Sequence, residues 1–111
     1  MDHVDIAIEA AHAARIAVKI AVEAAIQGQK ARIVARRNRC QFSDGRANAC
    51  EAFADIAMSA AKAARERCRI ALAAAYREND EQQYDWRDAD YAYCECFEDV
   101  SEAASFVASL R

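Results

Sequence analysis

The chain has no proline and only two glycines, Gly28 and Gly45, in 111 residues. β-Sandwiches with tight turns, collagen-like repeats and Pro/Gly-rich disorder each need residues that are missing here. Leucine is nearly absent as well, at Leu72 and Leu110 alone. No uncharged run approaches the ~18 residues of a membrane span. The opening stretch, Met1-Asp2-His3-Val4-Asp5, is acidic where a secretory leader is basic. A cytoplasmic location without membrane attachment is therefore expected. The five cysteines (Cys40, Cys50, Cys68, Cys94, Cys96) are an odd number. Without an export signal they read as free thiols rather than a disulfide framework.

What the chain has in abundance is alanine, 29 residues of it, the side chain that costs a helix least. The expectation is an all-α fold in one domain over residues 1–111. Helix one covers about 2–40, a loop 41–46, helix two about 47–79 and helix three about 82–110. In the first segment Asp5, Glu9, His12, Lys19, Glu23, Gln27 and Lys30 fall on one narrow polar stripe. The wide remainder is apolar. Gln41-Phe42-Ser43-Asp44-Gly45-Arg46 carries a Ser-Asp-Gly turn signal between periodic stretches. Asn48 and Glu51 have capping-box spacing for helix two. Helix three holds the cleanest seam, with Trp86, Ala89, Tyr93, Cys96, Val100, Ala103, Val107 and Leu110 alternating steps of three and four.

Residues 5–25 also align without gaps on 55–75, sharing Asp-Ile-Ala at 5–7 and 55–57 and Ala-Ala-x-Ala-Ala-Arg at 10–15 and 60–65. Duplication of one helical unit explains such a match, and so does convergence on alanine-rich helix chemistry. Short connections make consecutive helices antiparallel neighbours, so the predicted architecture is an up-down-up bundle of three long helices. Helix one's broad apolar sector exceeds what the other two can cover, which predicts a homodimer through Ile6, Ala17, Ile20 and Ala21. The bulky Ile, Val, Phe, Trp and Tyr side chains are expected to supply most of the stabilising burial.

No Ser-His-Asp order, Gly-rich phosphate loop, pair of Glu-x-x-His motifs of the di-iron kind or Cys-x-x-Cys spacing is present. The expectation is a protein that is not an enzyme and uses no cofactor. Cys68 falls level with Cys94 and Cys96, and Cys40 and Cys50 are symmetric about Gly45. A soft-metal thiol site is thus an alternative, weakened because Cys94 and Cys96 project about 200° apart on a helix. No metal-ligating residue is assigned. His12 lies level with Glu78 and reads as a solvated surface histidine.

Charge is segregated along the chain. Residues 78–102 contain ten acids and one base, Arg87, whereas 1–77 carry 13 bases and eight acids. Basic clusters occur at Lys30, Arg32, Arg36, Arg37, Arg39 and Arg46, and at Lys62, Arg65, Arg67 and Arg69. Pairing of the second cluster with the acidic helix is the plain explanation of the asymmetry. Direct nucleic-acid binding is disfavoured by a pI near 5.4. The candidate binding face is the outer side of helix three, where Tyr84 and Tyr91 stand among Asp88, Glu95, Glu98 and Glu102. Aromatic anchors ringed by like charge suit docking on a basic protein surface. Rows of carboxylates can also imitate phosphates. The expected function is therefore a small inhibitor or adaptor, acting as phage-type anti-defence inhibitors do on the nucleic-acid-binding surface of a larger protein. The alternatives are a structural homo-oligomer without other partners and the thiol-based metal binder.

Overall fold

The computed structural model describes residues 2–38, 41–78 and 83–111, apart from the side chains of 83–85. All regular structure among them is helical, in α1 (His3–Asn38), α2 (Gln41–Glu78) and α3 (Gln83–Ser109). The three helices pack together into a body 64 × 20 × 13 Å. α1 opens where the Asp2 carboxylate accepts the Asp5 amide at 2.8 Å, satisfying one of the free donors of the first turn.

The expected loop over 41–46 is instead the first turns of α2. Asp44 there suits the positive end of the helix dipole, and it accepts a hydrogen bond from Arg32 Nη1 at 3.3 Å. Gly45 sits in open space and makes no turn. The turn chemistry read from Ser-Asp-Gly thus serves a helix start equally well. Asn48 and Glu51 consequently lie inside the helix and cap nothing. Both accept from Arg32 Nη2 at 2.9 Å, tying α1 to α2. The link between α1 and α2 falls at 39–40, and the expected fade of helix two at Asn79 also lies outside the described residues.

The interior is built from alanine. Of the 23 buried apolar residues 17 are alanines, so mass alone does not fill this core. α1 contributes Ala7, Ala11, Ala14, Ala21, Ala25, Ala31 and Ala35, and α2 Ala47, Ala54, Ala57, Ala61, Ala64, Ala71 and Ala75. Small side chains let two axes approach near the ~8 Å end of the usual range. Bulky residues are correspondingly pushed outward. Ile6, Ile16, Ile20, Phe53, Ile56 and Ile70 are all exposed, contrary to the expectation that the large side chains dominate burial. α3 follows its seam, burying Ala89, Cys96, Val100, Ala103 and Val107, with Tyr93 and Leu110 packed at the edge. A tilted Tyr76–Trp86 contact, centroids 4.9 Å apart, joins the end of α2 to the start of α3.

The tightest point is Gly28, where a Cβ would stand 3.2 Å from Cys50 Cβ and 3.5 Å from the Ala47 carbonyl oxygen. The two glycines therefore predict opposite outcomes in denaturant melts followed by circular dichroism. Gly45→Ala raises stability by about 0.5–1 kcal/mol, the ordinary helix gain. Gly28→Leu lowers it by about 2 kcal/mol or more through overpacking.

Candidate docking face on the third helix

Because the α3 seam turns inward, its opposite side forms a crest. Tyr91 is 67% exposed there. Asp88, Glu98 and Glu102 are exposed beside it, and Glu95 is half-buried. The side chain of Tyr84 lies outside the described residues. Glu95 is engaged by α1. Arg15 donates to its Oε2 at 3.2 Å and to Asp99 Oδ2 at 2.9 Å. The Glu95 carboxylate, as a nearby acceptor and negative charge, also raises the Tyr91 pKa above the ordinary tyrosine value.

Among the described residues the acidic helix is thus ion-paired by Arg15 of α1 and not by the arginine cluster of α2. Arg69 turns back to Glu66 one turn away on its own helix. Arg65 lies over the Phe97 ring, 5.1 Å from its centroid, a cation–π contact. His12 does not approach Glu78. His3 does, at 3.1 Å, since a first-turn residue reaches the end of α2.

Two shallow grooves flank the crest. One, of about 540 Å³, is lined by Tyr93, Cys94, Phe97, Glu98, Ser101 and Glu102. The other, between α1 and α3, is lined by Val18, Val22, Asp99, Glu102, Ala103 and Phe106. Phe97 and Phe106 are apolar floor beside acidic rims, and the pattern of tyrosines and acids alone missed them. The signal that could have found them is their offset from the seam: Phe97 directly follows Cys96 and Phe106 directly precedes Val107, so each flanks the seam on one side and falls on neither the buried row nor the acidic one.

The face expected on helix one divides. Ala21 is wholly buried in the bundle's own core and so does not face outward, whereas Ala17 is half-buried at the edge of that core. Ile6 and Ile20 do face outward.

Cys68 and Cys96 meet in the interior, where α2 and α3 pack. Burial pushes the Cys68 thiol up from 9.0 to about 12, helped by its neighbour. Cys96 is raised as well, chiefly by burial, although the hydrogen bond from Cys68 opposes the shift. Cys50 packs at Gly28, so it is not the mirror partner expected across a turn at Gly45, and Cys40 lies outside the described residues. Among the described residues no group of three or more His, Cys, Asp or Glu is placed to hold a metal ion. Among them too, no helix is long and apolar enough to cross a membrane.

No protein-family model matches the chain, and no curated protein or solved structure matches it either.

Thiol reactivity checks this geometry. In a Cys40→Ser background at pH 8, a disulfide reagent modifies Cys94 first and Cys50 more slowly. Cys68 and Cys96 react only on unfolding. A folded pKa above the unfolded one favours the protonated thiol, so this contribution is intact below pH 9 and is lost as pH rises toward 12. Melts across that range should fall more steeply for the wild type than for Cys68→Ala.

Proposed function

We propose that the chain is a non-enzymatic helical interaction module, an inhibitor or adaptor that docks the crest of α3 on a basic protein surface. One observation carries this reading. Tyr91 stands open on a crest whose Asp88, Glu98 and Glu102 have no ion-pair partner among the described residues, while Glu95 and Asp99 beside them are held by Arg15. The paired acids fix the helix, and the free ones are left to steer a partner. Phe97 and Phe106 add apolar area on either side, so the anchor set is wider than tyrosine alone. A basic surface that normally holds nucleic acid fits this arrangement, because spaced carboxylates present charge as phosphates do.

The up-down-up course that displays the crest is supported by the cross-helix pairs His3–Glu78, Arg32–Asp44 and Arg111–Asp55. Free Cys50, Cys68, Cys94 and Cys96 support a reducing, cytoplasmic setting.

The test compares capture from host extract by the wild type, by Tyr91→Ala/Glu98→Lys and by Ile20→Ser, with circular dichroism melts to verify folding. Expected is a partner captured by the wild type and by Ile20→Ser, and lost about tenfold or more with the crest variant. Equal capture by all three sinks the reading.

A further inference from the structure

α3 is shorter than its neighbours, 27 residues against 36 and 38. It ends where Arg111 reaches Asp55 at 2.8 Å and the Glu51 carbonyl oxygen at 3.0 Å. Beyond that level α1 and α2 run on alone for about ten residues, or roughly 15 Å. This two-helix tip carries Lys30, Arg32, Arg36, Arg37 and Arg46 against Asp44 and Glu51. Arg32 takes both acids, at 3.3 and 2.9 Å. Lys30, Arg36, Arg37 and Arg46 have no ion-pair partner among the described residues. Where α3 would continue if it were longer, the tip holds a groove of about 470 Å³ lined by Gln29, Arg32, Ile33, Arg36, Glu51 and Leu110, among others. Ile33 is exposed in it, and a second groove of the tip is lined by Lys30, Val34 and Arg46, among others.

The molecule therefore carries an unpaired basic surface and an unpaired acidic one, and rigid helices keep them apart. Glu102 shares a groove with Val18 and Val22, and Arg36 lies 14 residues beyond Val22 on α1, about 21 Å along the axis. They cannot pair within one copy. We propose that a second copy of this chain occupies both surfaces, each α3 crest seated on the basic tip of the other. The inference rests on reading α3 as a docking face and names the basic surface it meets. A two-fold arrangement makes the contact twice, doubling a patch that alone falls short of a stable interface. The shapes also agree, since the tip is recessed where α3 stops and the crest is raised. The contact moves the homodimer expected on helix one to the opposite charges of α3 and the tip.

The experiment is light scattering and sedimentation equilibrium on the full chain at about 0.01 M and about 1 M salt, between which the screening length falls from roughly 30 Å to about 3 Å. The wild type is expected to dimerise at low salt and dissociate at high salt. Arg36→Glu/Arg37→Glu and Glu98→Lys/Glu102→Lys should each weaken dimerisation about tenfold or more, with helix content kept. Mixing those two variants should restore a dimer, because one contact then pairs the reversed crest with the reversed tip and the other pairs the native crest with the native tip. A monomeric wild type at low salt overturns the second copy as occupant, and leaves the docking reading to its capture test. A dimer that survives both reversals, or is lost instead with Ile6→Ser/Ile20→Ser, overturns the proposed seat.

Discussion

Everything in this structure depends on how closely two alanine-faced helices can approach. A seam of methyl groups buries little area per residue, so stabilisation comes from bringing the backbones and their many dispersion contacts near one another. The same closeness leaves no room for isoleucine between α1 and α2, and Ile6, Ile16 and Ile20 stand outside as a result. The third helix then works differently from the first two. Its seam includes Val100 and Cys96, which with Cys68 are the largest side chains fully buried anywhere in the described residues. Bulk is thus reserved for the place where α3 meets the other two helices.

With no buried polar residue among those described, charge acts only at the periphery, where it sets relative placement more than stability. Arg15 and Arg32 each span two acids on another helix. One fixes α3 against α1, the other fixes the start of α2 against the end of α1. What remains among the described residues after these pairings is unevenly spread, with acid on α3 and base where α1 and α2 extend beyond it.

Much of the fold was legible in the sequence because alanine and the three-four spacing leave few options. The α3 seam from Ala89 to Val107 follows directly from its period, and the exposure of Tyr91 and Glu98 follows with it. Gln41–Arg46 was not legible as helix, since Ser, Asp and Gly favour a turn and a first helical turn alike, and Arg32 decides between them from another helix. Nor could periodicity say which of two apolar rows faces inward. On α1 both the alanine row and the isoleucine row are hydrophobic, and the expected outer face drew on both, so it included Ala21, which is wholly buried. The partner of Glu95 was hidden for a related reason. Sequence distance favoured the arginines of α2, whereas the spatial neighbour was Arg15, 80 residues away.

A seam of near-identical methyl groups has a further property: it looks much the same after a shift of seven residues. Two such helices could slide by one heptad and bury almost the same surface, leaving the pair with several alignments of similar energy. Gly28 breaks that symmetry. Cys50, Ala47 and Glu51 all come close to it, and the grip of Arg32 on Asp44, Asn48 and Glu51 lies one turn along. The missing side chain at Gly28 thus works as a notch that admits a single alignment, and the level at which α3 ends relative to the basic tip is inherited from it.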